Sequence, residues 1–185
     1  MRAYKNITQS LIHTTIVHTP LGDMFAASSA KGICLLSFYD KFHIDAQLKN
    51  LKERFNAQVI PNTNNYFIQL QKELDEYFQG KRECFTLPLQ LLGTSFQIQC
   101  WKVLLGIGYG KTISYKEEAK RINNPKAYRA VANANAQNMI ELLVPCHRVI
   151  QENGQLGGYS SGIEKKEFLL NLEQNTQNKK LSTQN

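Results

Sequence analysis

The sequence predicts an α+β protein built in two parts. Two observations carry that prediction. The first 80 or so residues mix strand-like alternation with helix-like spacing, and the chain beyond Gly93 turns helical, opened by paired capping signals. At 185 residues the chain has room for one large domain or two small ones.

The elements follow in order. Ile12 to Thr19 alternates apolar and polar positions and ends at Pro20-Leu21-Gly22-Asp23, a turn signal. Met24 to Ser28 and Ile33 to Phe38 read as further strands separated by Ser29-Ala30-Lys31-Gly32, which predicts an antiparallel meander. Ile44, Leu48, Leu51 and Phe55 fall at spacings of 4, 3 and 4, one face of a helix. Ala57 to Ile60 predicts another strand before Pro61. Phe67, Leu70, Leu74 and Phe78 mark a second helix with Gly80 as its C-cap. His13 and His18 read as ordinary polar positions on the sheet, and this half shows no recognisable chemistry.

Lys81 to Gly93 reads as a connector with an extended piece at Phe85-Thr86-Leu87-Pro88-Leu89. Thr94 and Gln97 match a capping box, in which each side chain satisfies the other residue's free N–H. The helix it opens puts Phe96, Cys100, Val103 and Leu104 on one side, with Cys100 as core. It ends in Gly106-Ile107-Gly108-Tyr109-Gly110, a turn that lacks the spacing of a phosphate loop. Ser114 and Glu117 make a second capping box and open a helix, Tyr115 to Ile122. Asn123-Asn124 stops it, and Pro125 takes the favoured first position of a helix running to about Asn135. Two short helices joined by a tight turn form a helix-turn-helix, a recurrent DNA-docking unit. Ala127, Ala130, Ala132 and Ala134 allow close approach to another surface, and Lys126 and Arg129 add positive charge. Ala136 to Glu141 is a loop and Gln151-Glu152-Asn153-Gly154 a turn. Gly157 to Gly162 is a flexible loop with Tyr159 at its centre. Ile163 to Leu172 predicts the last helix, closed by Glu173, and Gln174 to Asn185 a frayed polar tail.

A composition of 42% hydrophobic and 20% charged residues suits a soluble globular protein. No stretch approaches the roughly 20 apolar residues of a membrane span. Met1 to Gln9 has no apolar run ahead of a cleavage site, so no signal peptide is expected. A cytoplasmic, reducing setting follows, with Cys34, Cys84, Cys100 and Cys146 as free thiols. They form no CxxC pair and the four histidines are scattered, so neither a metal nor a cofactor is expected. The net charge of +7 is uneven: residues 1–89 carry 10 Lys/Arg against 8 Asp/Glu, residues 90–185 carry 12 against 7. A basic second half points to a polyanionic partner.

The chemistry gathers at Leu142-Leu143-Val144-Pro145-Cys146-His147-Arg148-Val149-Ile150. The apolar flanks read as short buried strands. The centre cannot be strand, because Pro145 lacks an N–H and fixes its own φ. A cysteine on a buried corner, next to an imidazole, is a candidate nucleophile if something helps remove its proton, since the thiolate is the reactive form. Adjacent residues point in different directions, so His147 need not touch the sulfur.

Together with Gly93-Thr94-Ser95-Phe96-Gln97, Ile113-Ser114-Tyr115, Asn124-Pro125-Lys126-Ala127, Arg129-Ala130-Val131 and Gly158-Tyr159-Ser160, the Pro-Cys-His-Arg stretch resembles the O6-alkylguanine-DNA alkyltransferases. The resemblance runs from about Gly93 to Glu173, and Thr19-Pro20-Leu21-Gly22 is similar, more weakly, to the family's first domain. It implies a ribonuclease-H-like α+β domain over residues 1–88 without a catalytic role, a mostly helical DNA-binding domain over 89–174, and a polar tail over 175–185. It implies DNA repair by direct reversal: a methyltransferase that moves the alkyl group of O6-alkylguanine, with O4-alkylthymine as a further candidate, irreversibly onto its own cysteine, once per molecule.

The same resemblance assigns roles. Cys146 is the nucleophile, His147 the base acting through a water, Glu173 the orienting carboxylate, and Tyr115 the donor to the leaving guanine. The target base must be flipped out of the duplex. Arg129 fills its place, and Lys126, Ala127, Ala130, Tyr115 and Asn124 contact DNA in the minor groove independently of sequence. Asn138 braces the corner, and Val149, Tyr159, Ser160 and Glu141 belong to the pocket. The partner is double-stranded DNA carrying an alkylated guanine, and single-use chemistry needs no dimer, so a monomer is expected. The family usually has Asn-Pro after the second helix, then a small residue or Pro two positions on; here Met139 follows Asn138 and Glu141 takes the later place. Glu141 is expected at the pocket rim, disfavouring bulky apolar O6 groups such as benzyl. Gly108 stands where Pro is common and Ser161 where Gly is. Three rivals remain distinct: an alkyltransferase-like protein without the nucleophile, a helix-turn-helix transcription regulator, and a cysteine hydrolase, which would need an oxyanion hole.

Overall fold

The alternation that begins at Ile12 becomes a strand, β1 (Ser10–Val17), in a computed structural model that describes residues 10–182. The stretch Met1 to Gln9, on which the expectation of no signal peptide rests, lies outside the described residues, as do residues 183–185. β2 (Met24–Ser29) and β3 (Gly32–Phe38) complete the meander, with Val17 opposite Met24 and Phe25 opposite Ser37. α1 (Lys41–Phe55) then carries the chain across the sheet, so that β4 (Ala57–Pro61) arrives parallel to β1, with Ser10 opposite Ala57. The order is β3-β2-β1-β4. The predicted antiparallel sheet thus gains a parallel edge, because a helical crossover joins strands of like direction.

β3 is buried along its whole length and feeds two cores. Cys34 and Leu35 join Ile12, Ala27 and Leu51 on the α1 side. Ile33, Leu36 and Phe38 face Phe67, Leu70 and Leu74 of α2 (Asn65–Phe78), and this core continues through Trp101, Leu104 and Leu142 into the helical half. The connector is stitched to the sheet at Gly32 and Ile33: the Ile33 N–H donates to Pro88 O (2.9 Å) and the Gln90 N–H to Ile33 O (2.8 Å).

In the second half, Thr94 and Gln97 form both arms of the capping box ahead of α3 (Ser95–Leu104). The box expected at Ser114 is only half made. Ser114 Oγ accepts the Glu117 N–H (3.1 Å), while the Glu117 carboxylate takes Arg121 one turn on. β5 (Ile113–Ser114) leads into α4 (Tyr115–Arg121), and α5 (Tyr128–Ala136) follows. The start predicted at Pro125 is corrected: Asn124 O accepts the Ala127 N–H (2.9 Å), which rolls Pro125 and Lys126 into a turn. The strand expected at Leu142 to Val144 is likewise a turn, with Leu142 at φ +69°, followed by a 3₁₀ turn at Cys146–Arg148 and β6 (Val149–Ile150), parallel to β5.

The last helix does not close at Glu173. α6 (Ile163–Ser182) runs through the segment expected to fray. Tertiary contacts override its polar composition: the Gln177 amide donates to Glu83 (3.1 Å), Lys180 pairs with Glu83 (2.6 Å), and Thr176 packs where a Cβ on Gly80 would fall. Among the described residues no helix is long and apolar enough to cross a membrane, and no cluster of His, Cys, Asp and Glu is placed to hold a metal.

Gly32 is where the connector comes closest. Its φ is +128°, and a Cβ there would lie 2.1 Å from Pro88 O. Gly32→Ala should cost about 3 kcal/mol and lower the thermal midpoint by several degrees. An unchanged midpoint would contradict this packing.

Candidate active site

Pro145 ends the turn, and the three residues after it wind at about 120° each, as a 3₁₀ turn does. Their side chains therefore diverge. The Cys146 sulfur faces a cavity of about 420 Å³, while His147 and Arg148 both reach Glu173 on α6. His147 Nε2 lies 3.0 Å from Glu173 Oε1. The Arg148 Nε–H reaches both carboxylate oxygens (3.1 and 3.0 Å), and Nη2 donates to Oε1 (2.8 Å). Tyr77 of α2 donates its hydroxyl to Oε1 (2.7 Å), and the Gly110 N–H donates to Oε2 (2.9 Å). The glycine-rich turn thereby joins the charged centre, because Gly110, at φ +68°, presents its N–H to the carboxylate.

These contacts set the charges. Burial pushes Glu173 upward, but hydrogen bonds and charge from His147 and Arg148 outweigh it and hold the carboxyl at about 2. An ionised carboxylate only accepts, so His147 Nε2 must carry a proton and donate it. Nδ1 is left with its lone pair and has no protein partner among the described residues. Burial lowers the His147 pKa, with Glu173 opposing, so the ring is neutral at pH 7. Burial, reinforced by the nearby Glu141 charge, pushes the Cys146 thiol up to about 12. The Asn138 amide works against that by donating to the sulfur (3.2 Å), and also ties down Val144 O (2.8 Å). Burial thus favours a neutral thiol beside a neutral imidazole over a standing thiolate.

The cavity is walled by Tyr115, Ala132, Asn135, Gly158, Tyr159 and Ser160 beside Cys146. Burial raises the Tyr115 pKa, so its hydroxyl stays protonated as a donor. Val149 is core; its carbonyl accepts from the buried Lys166 Nζ (2.6 Å), which also reaches Gly158 O (3.3 Å). Burial lowers Lys166 to about 8. Glu141 is corrected. It is 1% exposed and absent from the cavity wall; its carboxylate sits behind the Gly157–Gly162 loop, bound by Ser37 and Ser161. Lys126, Arg129, Ala130 and Asn124 lie exposed along α5 and the turn before it, with Ala127 half-buried and Arg129 over the Tyr128 ring (5.7 Å).

Three residues of this constellation have no role in the sequence reading. Arg148 stands inside the motif itself. Lys166 repeats with Leu169 and Glu173 at spacings of 3 and 4, a helical face that marks it as buried. Tyr77 lies 96 residues from Glu173, and no local pattern joins them.

Residues 95–175 match a family model described as the DNA-binding domain of 6-O-methylguanine DNA methyltransferase, and residues 12–91 match its ribonuclease-like domain. A methylated-DNA–protein-cysteine methyltransferase of Methanosarcina barkeri is 44% identical over 161 residues, 86% of this chain and 96% of that protein. The inducible protein of that name in Bacillus subtilis is 38% identical over 82% of this chain and 84% of its own. Among solved structures, Mycobacterium tuberculosis OGT in complex with DNA superposes with a TM-score of 0.74 at 36% identity, covering 90% of this chain and 94% of that one.

Glu118 is a buried acid outside the Glu173 cluster. Glu118 of α4 is lifted to about 7 by burial, opposed by the Asn135 amide that donates to it from α5 (2.7 Å). The folded chain therefore holds a proton that the unfolded chain releases nearer 4.5. The resulting cost is absent below pH 4.5 and complete above about 7. Glu118→Gln, which keeps an oxygen for Asn135, should be more stable than wild type by roughly 2–3 kcal/mol at pH 8, with the gap shrinking towards pH 5. Denaturant titrations at the two pH values check this; a gap independent of pH would contradict it.

Proposed function

Because the chain belongs to the 6-O-methylguanine DNA methyltransferase family, we propose that it repairs DNA by moving the alkyl group of O6-alkylguanine onto Cys146. The observation that carries the proposal is a sulfur in the wall of a cavity of about 420 Å³ with the His147–Glu173 pair directly behind it. That volume falls among small-ligand pockets, roughly 300–1,000 Å³. As a DNA-binding methyltransferase, the protein would meet the duplex through α5. Lys126 and Arg129 supply charge, Asn124 lies beside them, and Ala127 and Ala130 allow the backbones to approach. These are contacts to the sugar-phosphate frame, so binding is independent of sequence and made from the minor groove. The target carbon is out of reach inside the stack, so the nucleotide turns out into the cavity and Arg129 takes its place.

The step balances as an in-line displacement. The sulfur forms a bond to the alkyl carbon as the bond from that carbon to O6 breaks, and the bond's electron pair stays on the guanine. The thiol proton leaves through a water to His147 Nδ1, the ring nitrogen without a protein partner among the described residues. The anionic Glu173 stabilises the imidazolium that forms, and Arg148 and Tyr77 keep that carboxylate in place. Tyr115 donates to N3 of the leaving guanine, and Ser160 and the backbone near Cys146 and Val149 read the base. The imidazolium then returns its proton to water and the guanine anion takes one up, so the net exchange is the thiol's proton for the alkyl group. The product is a thioether, a poor leaving group, so the sulfur is not regenerated and each molecule acts once.

Incubation with duplex DNA containing O6-methylguanine should add a single methyl group at Cys146, one per molecule, read by intact mass and peptide mapping. Cys146→Ser should take up none while still binding DNA. Repeated turnover, or methyl uptake by the Ser variant, would overturn the assignment.

A further inference from the structure

The wall of the cavity is a loop, and the loop is fastened from behind. Glu141 is buried between two elements that otherwise belong to different halves of the chain. Its backbone N–H donates to Leu36 O in β3 (2.7 Å), and Met139 O accepts the Leu36 N–H (2.8 Å), so the segment before Cys146 lies as an added bridge on the sheet edge. Its carboxylate accepts the hydroxyl of Ser37, the next residue of β3 (2.8 Å), and the hydroxyl of Ser161, which reaches both oxygens (2.7 Å each). Ser161 follows Tyr159 and Ser160, two residues that line the same cavity as Cys146. A second link runs alongside: Lys165 sits over the Phe38 ring (5.2 Å) and donates to Ser161 O (3.2 Å).

We propose that Glu141 is a positioning residue, a clasp by which the N-terminal sheet holds the Gly157–Gly162 loop against the cavity and so limits the size of alkyl group that the site admits. This rests on the alkyl-transfer reading above. The clasp gives the sheet half of the protein a part in substrate choice without contact with the substrate. Hydrogen bonds to a buried carboxylate are the stronger kind, and a hydroxyl withdrawn from one leaves an uncompensated charge. An alkyl group large enough to press on that wall would push it outward and strain those bonds. Methyl transfer does not require that. The clasp also has a cost: the Glu141 charge opposes ionisation of the Cys146 thiol.

The test compares single-turnover transfer from duplexes carrying O6-butylguanine and O6-methylguanine in wild type, Ser161→Ala, Ser37→Ala and Glu141→Gln. The readout is the butyl-to-methyl rate ratio within one sample, in which any loss of folded protein cancels. The ratio should rise about tenfold in Ser161→Ala and in Ser37→Ala, the worth of one charge-assisted hydrogen bond, and less in Glu141→Gln, which keeps part of the bonding. A ratio within about twofold of wild type in both serine variants would overturn the clasp. Hydrogen exchange of residues 157–162 decides the clasp separately from the chemistry. Ser37→Ala, a change in the sheet, should lose protection in that loop, and unchanged protection counts against the proposal. A wild type that transfers no alkyl group from either duplex would instead sink the transfer reading, with exchange still judging the clasp.

Discussion

The Glu173 carboxylate is the constraint on which the rest of the structure depends. It has no exposure to solvent and gathers four donor residues from three places in the chain: Tyr77 on α2, Gly110 in the glycine-rich turn, and His147 and Arg148 on the 3₁₀ turn, all closing on α6. Burying an anion is expensive unless its partners are fully assembled. The site is therefore a condition of the fold as much as a product of it. The sheet half must deliver Tyr77, and the helical half must wind Cys146 to Arg148 so that two of its three side chains face the carboxylate. The domain that the family resemblance casts as non-catalytic thus supplies a hydroxyl to the charged centre and, through Glu141, a strut to the pocket wall.

This arrangement favours a reagent stored in neutral form. Burial holds the thiol protonated and the imidazole neutral, which would suit the proposed single-use sulfur, since the thiolate is the form that oxidises and is alkylated at random. In the proposed reaction, charge appears only as the alkyl carbon departs. The imidazolium then forms beside an anion already in position, without reorganisation at the moment of transfer. Lys166, buried beside the loop and the strand after the nucleophile, adds positive potential near the sulfur.

Much of this was legible in the sequence, because much of it is local. The three strands read between Ile12 and Phe38, the helix spacing of Ile44 to Phe55 and the capping box at Thr94 each act within a few residues, and each is found in the structure. The Pro145 break and the 3₁₀ corner follow from proline's missing N–H. Most of what escaped was set at long range, though the Pro125 turn was local. α6 continues past Glu173 because Glu83, nearly a hundred residues away, engages Gln177 and Lys180. Pro125 fails to start α5 because the Asn124 carbonyl closes a turn over it. Tyr77 and Glu141 look like an ordinary helix aromatic and a rim charge until the fold brings their partners to them. Arg148 was in view within the motif, and only the geometry of Glu173 gives it a place.

The central claim is that an ionised Glu173 fixes His147 as a neutral ring, protonated at Nε2 and open at Nδ1, beside a protonated thiol. Nitrogen-15 NMR of the His147 side chain in the free protein tests it most directly. The spectrum of the neutral Nε2–H tautomer is expected at neutral pH. An imidazolium there, the mark of a standing thiolate–imidazolium pair, or a neutral ring protonated at Nδ1, would contradict it.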